Sequence, residues 1–286
     1  MNTRLRVGGV PEHFNLPWKL ALADSAFAAT GIDVEFVDYP GGTGAMNAAL
    51  RDEELDAAVI LTEGAVLDVL GGSNNRLVST YVDSSLVWGI HVAASGDIHD
   101  VAGIEGKRFA ISRYGSGSHL IAAVDADERS FQPTDMRFVV VNSIDGARAA
   151  LAEGSADVFL WEKHMTQPLV DNGEFRRIGE RIVPWPAFVV SVRQEYLADH
   201  RQDVRKVLDI ISGYAARLKT GTGSPELISK TYGIQLTDAQ NWLTDVQWSH
   251  DHHCPATAIR RVVTALHSQG ILETPDTDLE SIWQQF

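Results

Sequence analysis

Two glycine-rich loops hold the residues best suited to bind an anion. Residues 41–44 read Gly-Gly-Thr-Gly and residues 113–119 read Arg-Tyr-Gly-Ser-Gly-Ser-His, each just before a helical stretch. Backbone N–H groups at a helix start, small hydroxyls and a guanidinium all donate hydrogen bonds to an oxyanion. The candidate ligand-binding residues of these loops are Gly42, Thr43, Gly44, Arg113, Tyr114, Ser116, Ser118 and His119. The alternatives are a tight turn for the first loop and a solvated surface charge for Arg113.

Neither loop is a nucleotide-binding or nucleophile motif. After Gly42 and Gly44, the dinucleotide fingerprint needs a third glycine where this chain has Asn47. The second loop lacks the Gly-Lys-Ser/Thr of a P-loop, and its serines are misplaced for a Gly-x-Ser-x-Gly elbow. The sequence therefore predicts no cofactor, no NTP hydrolysis and no serine hydrolysis.

Aromatic and titratable residues form a second group of candidates. They stand at the mouth of the first helix, after the third strand, or at strand ends: His13, Phe14, Thr62, Glu63, Trp88, Trp161 and Glu162. Asn15 beside them is interpreted as a helix N-cap. Aromatic faces next to carboxylates suit a flat or cationic ligand such as a nitrogen heterocycle. This ligand class fits the sequence about as well as the anion that the glycine loops suit. The alternative is that the tryptophans are hydrophobic packing at a hinge.

Residues 250–254, His-Asp-His-His-Cys, all carry side chains that can ligate zinc or copper. Adjacent residues cannot all converge on one ion, and no second ligand pair stands at regular spacing elsewhere. A solvated loop before a helix beginning near Ala256 is the favoured interpretation, so no metal is predicted. Cys254 is the only cysteine, which excludes an intrachain disulfide.

Composition restricts the partners. The 286 residues are 44% hydrophobic, and 38 acidic against 24 basic residues give a net charge of −14. This charge repels nucleic acid and anionic membrane surfaces, while no apolar run approaches the roughly 20 residues of a membrane span. A first strand begins at once, without an apolar leader. We therefore expect a small-molecule ligand in a protein that is periplasmic or membrane-associated if a leader was trimmed, and cytoplasmic if the sequence is complete.

A weak internal repeat about 100 residues apart predicts two similar α/β lobes. Ala-Ala-Leu at 48–50 leads through a turn into a strand at 56–61, and the same letters at 149–151 lead into 157–160. Earlier strands at 5–10 and 34–37 match those at 108–111 and 137–141. Each lobe alternates strand and helix, which is typical of a doubly wound, mostly parallel sheet.

Two apolar, β-rich segments, 86–93 and 187–192, predict two chain crossings that form a hinge. The first lobe then comprises 1–93 and 189–286, and the second lobe 94–188. The spacing of Leu16, Leu20, Ala23 and Phe27 predicts a first helix that stops at Gly31. After residue 192 only helical patterns follow, so we expect a helical C-terminal tail packed on the first lobe.

These features resemble the type 2 periplasmic-binding-protein-like family over essentially the whole chain. The resemblance is carried by residues 8–18, 39–44 and 112–119 and by the two Ala-Ala-Leu to Asp strand entries. It is strongest to the binders of sulfonate, nitrate and taurine and to the thiamine-pyrimidine-precursor proteins. The cysteine-rich stretch of the fungal pyrimidine synthases is missing, which disfavours that chemistry.

The resemblance implies a cleft that closes over a small anion or a nitrogen heterocycle, in the substrate-binding component of an ABC-type uptake system with an ABC permease as partner. The alternative is a cytoplasmic enzyme of the same fold that uses acid/base chemistry. The spacing reveals no matched acid–base pair. The groups available to such an enzyme are His13, Glu63, His119 and His164.

Overall fold

Two five-stranded sheets of the same design organise the chain. The computed structural model describes residues 3–131, 135–273, 282–284 and 286. The first sheet contains β1 (Thr3–Gly9), β2 (Ile32–Asp38), β3 (Ala57–Leu61), β4 (Asn75–Val82) and β10 (Phe188–Arg193), in the order β2-β1-β3-β10-β4. The second contains β5 (Val87–Ala93), β6 (Arg108–Ile111), β7 (Arg137–Val140), β8 (Val158–Glu162) and β9 (Phe175–Ile182), in the order β7-β6-β8-β5-β9. We call each sheet with its helices the first and the second lobe.

The predicted repeat corresponds to this shared topology. Within each sheet, three strands are parallel, as the alternating pattern predicted: β2-β1-β3 and β7-β6-β8. One strand in each sheet, β10 in the first and β5 in the second, runs antiparallel to both of its neighbours, so each sheet is mixed. The antiparallel strands are those that adjoin the crossings between the lobes, and the repeat does not include them.

The same ion pair recurs at the repeated strand entries. Arg6 donates from its backbone N and its Nε to Asp56 Oδ2, both at 2.9 Å, and from Nη2 to Oδ1 at 2.7 Å. Arg108 makes the same three bonds to Asp157 at the same distances. The repeated aspartate thus ties the start of β3 to β1 in the first lobe and the start of β8 to β6 in the second.

The helices of the first part of the chain are α1 (Leu16–Ala23), α2 (Gly42–Arg51), α3 (Thr62–Leu70), α4 (Gly117–Glu128), α5 (Ile144–Glu153) and α6 (Gln167–Asp171). α1 is shorter than predicted, since it ends at Ala23 rather than near Gly31. Ser25 has a φ of +53°, a left-handed conformation that interrupts a helix. Phe27 is nevertheless buried, on the turns that lead into β2.

The chain crosses between the lobes at residues 83–86 and 183–187. The first crossing comes earlier than the sequence predicted, because β5 pairs with β8 and β9 of the second sheet. Residues 87–93 therefore pair within the second lobe and not the first. The return crossing precedes β10, which joins the first sheet between β3 and β4, close to the expected position. An apolar strand can pack in the middle of either sheet, so the sequence of β5 alone does not show to which sheet it belongs.

The C-terminal tail consists of α7 (Gln194–Thr220), α8 (Ser224–Tyr232), α9 (Leu236–Asp245) and α10 (Ala256–Ser268). α7 packs on α1 and α10 packs on α3, which places the tail on the first lobe as predicted. The tail also reaches the second lobe, because Gln235 Nε2 donates to Asp171 Oδ2 at 2.8 Å. In the described residues, no helix combines the length and apolarity of a membrane span.

Candidate ligand-binding site

A cavity of about 210 Å³ lies between the two lobes. The first lobe contributes the loops that follow β1 and β2, together with Leu61 and Phe188. The second lobe contributes Trp88, the loop after β6, residues 143–145 before and at the start of α5, and the end of β8. Loops beyond the carboxyl ends of strands are the usual binding region of open α/β sheets.

Three helices begin at the wall of this cavity: α2 at Gly42, α4 at Gly117 and α5 at Ile144. Ser116 caps α4 by accepting from His119 N at 3.4 Å, and Ser143 caps α5 by accepting from Gly146 N at 3.2 Å. The free N–H groups and dipole of each helix start favour negative charge. The three helix starts therefore each give the cavity wall a place that favours negative charge, despite the acidic composition of the chain.

Arg113 is the one cationic side chain among the described residues that line the cavity. It is half-buried, burial lowers its pKa, and its Nη2 has no hydrogen-bond partner. The guanidinium belongs to the second lobe but lies against α2 of the first. A Cβ added to Gly44 would come 2.5 Å from its Nε, so the glycine makes room for the arginine. A half-buried cation without a partner favours the binding of an anion.

Two buried carboxyls line the same cavity, Glu12 from the first lobe and Glu162 from the second. Burial raises the pKa of Glu12 to about 7, an effect that a hydrogen bond from Trp161 opposes. Burial, followed by the charge of Glu12, raises the pKa of Glu162 to about 8. Glu162 Oε2 also accepts from Met165 N at 2.7 Å. Both carboxyls are therefore protonated or poised near neutrality.

Eight of the residues predicted from the sequence meet at the cavity: Gly42, Thr43, Trp88, Arg113, Ser116, Ser118, Trp161 and Glu162. Trp88 is buried, and its Nε1 donor has no hydrogen-bond partner. Thirteen lining residues were not predicted: Val10, Pro11, Glu12, Pro40, Gly41, Leu61, Leu86, Gly117, Ser143, Ile144, Asp145, Met165 and Phe188. Glu12 lies in the loop after β1. Because loops after strands were the predicted binding region, its position in the sequence could have identified it.

His13 and Phe14 lie behind the cavity wall and do not line it. The His13 ring is fully buried, stacked on Phe14 at 4.7 Å and packed edge-on against Trp242 at 4.2 Å. Neither ring nitrogen has a hydrogen-bond partner, and burial holds its pKa well below the usual range. The Phe14 carbonyl accepts from Tyr81 and Trp248, which anchors this turn in the core. Asn15 stands at the N-cap position of α1, but its amide donates to the Val10 carbonyl instead.

Thr62 and Glu63 bind the return crossing and do not line the cavity. Thr62 Oγ1 donates to the Pro186 carbonyl at 2.5 Å, and Trp185 Nε1 donates to Glu63 Oε2 at 3.0 Å. Burial raises the pKa of Glu63 to about 7. Because α3 begins directly after β3, with no loop between them, these side chains are directed to the crossing segment.

The remaining predicted residues, Gly44, Tyr114 and His119, also do not line the cavity. Tyr114 is exposed, and its ring meets the His119 ring edge-on at 5.3 Å. His119 Nδ1 accepts from Gly115 N at 3.1 Å, which fixes the loop from its outer side. Gly44 instead receives Arg113, as described above.

The histidine-rich segment near residue 250 diverges into different environments. His252 Nε2 lies 2.8 Å from Asp209 Oδ1, whereas Cys254 is buried and His250 is exposed. No group of three or more His, Cys, Asp or Glu side chains that could hold a metal ion occurs in the part of the chain that the structure describes.

Comparison with known proteins agrees with this architecture. The Ca3427-like PBP family, PBP denoting periplasmic-binding protein, matches residues 88–181. The CA3427 gene product of Candida albicans, described as having the generic periplasmic binding protein fold, superimposes with a TM-score of 0.88 at 24% identity, covering 99% of this chain and 96% of that one. The alkanesulfonate-binding protein SsuA of Xanthomonas axonopodis pv. citri, bound to MOPS, gives 0.82 at 18% identity and 99% coverage of both chains.

A putative aliphatic sulfonates-binding protein of Bacillus subtilis (strain 168) is 22% identical over 191 residues, which is 66% of this chain and 57% of that protein. The Xanthomonas and Bacillus relatives are named as sulfonate-binding proteins, and the structural matches extend over both lobes. The resemblance deduced from the glycine loops and the repeat is thereby confirmed: this chain has the type 2 periplasmic-binding-protein fold, with its Ca3427-like match in the second lobe.

Proposed function

We propose that this chain binds a small organic anion between its lobes, as the substrate-binding component of an ABC-type uptake system. Arg113 carries the proposal: a half-buried guanidinium with an unpartnered Nη2 faces a cavity where three helices begin. Leaving such a cation unpaired is unfavourable, and a bound oxyanion would satisfy it. Ser116, Ser118 and Thr43 add hydroxyls beside it.

The rest of the cavity suits an organic rather than an inorganic anion. Leu61, Leu86, Met165 and Phe188 are apolar side chains of the lining, and the tryptophans add flat faces. A bare sulfate or nitrate would leave these groups without a partner, whereas a short alkyl or ring substituent would bury against them. The alkanesulfonate named for the Xanthomonas relative has this combination of charge and apolar tail.

Binding in such a site couples to the position of the lobes. Arg113 reaches from the second lobe to Gly44 of the first, so an anion held there contacts both halves of the protein. A ligand that touches both lobes stabilises the arrangement in which they meet. That arrangement is what a permease would recognise as the loaded state.

The test is titration calorimetry with MOPS and short alkanesulfonates on wild type, Arg113→Gln and the exposed control Arg205→Gln. Loss of a charge-assisted pair from a half-buried site should weaken sulfonate binding by at least about tenfold in Arg113→Gln. Arg205→Gln should retain wild-type affinity. Equal affinity in all three proteins, or no binding of any sulfonate, would contradict the proposal.

An enzyme of the same fold is the second candidate, because Glu12 and Glu162 bring two carboxyls with raised pKa into the cavity. Groups poised near neutral pH can act as general acid or base. Prolonged incubation of the bound compound followed by NMR separates the two functions. Recovery of an unchanged ligand supports the receptor, and turnover supports the enzyme.

A further inference from the structure

The return crossing, residues 183–187, connects β9 of the second lobe to β10 of the first and is bound to the start of α3. Thr62 Oγ1 donates to the Pro186 carbonyl at 2.5 Å, and Trp185 Nε1 donates to Glu63 Oε2 at 3.0 Å. Trp185 and Glu63 are 3% and 2% exposed. Because this segment joins the lobes, a change in the angle between them must either bend it or shift it relative to α3.

The sequence of the crossing, Val-Pro-Trp-Pro-Ala, makes it stiff. The rings of Pro184 and Pro186 fix their own φ angles, and the residue before each proline is biased towards an extended conformation. Only Ala187 is free of both restrictions. A stiff segment changes direction at its attachment points rather than along its length, so the contact of Trp185 with α3 governs the hinge.

Glu63 is the titratable group of this attachment, and its carboxyl is incompletely bonded. Oε2 accepts from Trp185, whereas Oε1 is buried and has no hydrogen-bond partner. Burial raises the pKa of Glu63 to about 7, and hydrogen bonds from its own backbone N–H and from Trp185 oppose this effect. An ionised carboxylate with one oxygen bare and away from water is unfavourable, so the joined lobes favour the neutral acid.

The charged groups of the elements packed on α3 do not neutralise Glu63. In the described chain, no charged side chain contributes to its raised pKa. Near Trp185, charged residues of α4 and α10 line a groove of about 540 Å³ that the indole also lines: Asp127, Glu128, Arg260 and Arg261. Other charged side chains of α2, α4, β4 and β10 bond elsewhere: Arg51 to Asp68, Asp125 to Arg129, Arg76 to the Asn75 carbonyl, and Arg193 to Glu53 and Asp56. Proton binding therefore decides the charge of Glu63.

We infer that Glu63 is a proton-dependent switch of the hinge, which holds the return crossing while it is neutral and releases it when it ionises. Water at Oε1 would stabilise the ionised form, and a shift of Trp185 away from α3 would admit that water. Ionisation therefore favours separated lobes, and protonation favours joined lobes. The switch acts at the hinge and not in the interlobe cavity, so it does not depend on which ligand binds there.

The direction of the pH effect follows from the pKa of Glu63 in the two arrangements. It is about 7 in the joined lobes, against the usual value of 4.5 for a solvated glutamate in the separated lobes. Between these values, joining the lobes takes up a proton, so the ratio of separated to joined lobes should rise by up to about tenfold per pH unit. Above pH 7 Glu63 is ionised in both arrangements, and the ratio levels off.

Small-angle X-ray scattering of the ligand-free protein from pH 5 to 8 tests this effect. The radius of gyration of wild type should increase with pH, and Glu63→Gln, which stays neutral, should show a smaller increase. The comparison with the variant is needed because Glu12 and Glu162 also have raised pKa values and contribute to the pH dependence of wild type. The exposed Glu153→Gln should follow wild type.

Carbon-13 NMR of glutamate-labelled protein measures the protonation of Glu63 directly. The carboxyl resonance that is missing in Glu63→Gln belongs to Glu63, and its midpoint in wild type should lie near pH 7. Trp185→Phe keeps an aromatic ring but removes the indole bond that lowers this pKa, so the midpoint should move to higher pH. A purely structural role of Glu63 predicts no link between this midpoint and the radius of gyration.

Each outcome decides the inference. A radius of gyration that is constant in wild type, or that changes equally in Glu63→Gln, would show that Glu63 does not control the hinge, as would a midpoint near pH 4.5. Circular dichroism checks the fold of each variant. If Glu63→Gln does not fold, the resonance that moves in Trp185→Phe and the radius of gyration of wild type decide it.

These measurements use no ligand, so failure of the switch leaves the proposed anion binding intact, and failure of anion binding leaves the switch intact. Where both hold, Glu63→Gln should bind a sulfonate more tightly than wild type at pH 8, because its lobes stay joined more readily.

Discussion

His13 Nε2 lies 4.0 Å from Glu162 Oε2, with the histidine in the first lobe and the glutamate in the second. The pair is not an ion pair, because burial lowers the pKa of His13 well below its usual range and raises that of Glu162 to about 8. Two neutral groups thus meet across the lobe boundary. Because burial at this boundary favours the neutral form of Glu162, a pH dependence of stability follows.

Glu162→Gln should flatten the pH dependence of stability above pH 5. The folded carboxyl has a pKa of about 8 against a usual value of 4.5, so above pH 4.5 the unfolded chain releases a proton that the folded chain retains. Wild type then loses about 1.4 kcal/mol of its free energy of unfolding per pH unit from this group until about pH 8. The variant lacks this loss. Urea unfolding from pH 5 to 9 measures it, with Glu153→Gln as control, and parallel curves for Glu162→Gln and wild type would contradict the assignment.

The two repeated ion pairs should contribute unequally to stability. Asp56 has a side-chain exposure of 5% and binds Arg6 and Arg193, whereas Asp157 has 24% and binds Arg108. Asp56→Ala removes the buried carboxylate that Arg6 and Arg193 share and should lower the free energy of unfolding by about 3 kcal/mol. Asp157→Ala should lower it by about 1 kcal/mol, because water replaces part of the lost pairing. Equal losses in chemical denaturation would show that burial does not set the difference.

Gly117→Ala should weaken ligand binding, because the added methyl group would push the two lobes apart. A Cβ at this position would overlap Leu61 Cδ1 of the first lobe and come 2.8 Å from Trp88 Cη2. Overpacking of this kind typically costs about 1–3 kcal/mol, so we expect a loss of roughly tenfold in affinity for a sulfonate that binds wild type.

Gly213→Ala in α7 is the control for this change, since its added Cβ would meet no atom within 4 Å apart from its own stretch of helix. It should leave binding unchanged and raise stability by about 0.5–1 kcal/mol, because alanine favours the helix more than glycine does. Wild-type affinity in Gly117→Ala would mean that the lobes adjust freely around the methyl group.

Cys254 should resist thiol reagents in the folded protein. It is 3% exposed, and burial raises the pKa of its thiol to about 12, so the reactive thiolate is scarce at pH 8. We expect labelling by Ellman's reagent to be slower by orders of magnitude in buffer than in 6 M guanidinium chloride, where one thiol per chain should react. Rapid labelling of the native protein would show that the loop at 250–254 opens readily.

Much of the fold follows from local regularities. The repeated Ala-Ala-Leu and aspartate entries predicted two lobes of the same design, since the spacing of turns and strands is set within some fifty residues. The loops after parallel strands predicted the cavity, because the carboxyl ends of such strands share one edge. Arg113 and Thr43, which line this cavity, were predicted in this way.

Other features depend on partners distant in the chain. Only strand pairing assigns β5 to the second sheet, because an apolar strand satisfies either core. Only the fold directs Thr62 and Glu63 to the return crossing, since Pro186 and Trp185 lie more than 120 positions away. The start of α1 brings Glu12, and not His13, into the cavity. The sequence by itself determined the two lobes and the sheet edge where the cavity lies, whereas the tertiary structure decided which polar groups are buried there and which of them remain without partners, because burial is set by the whole chain.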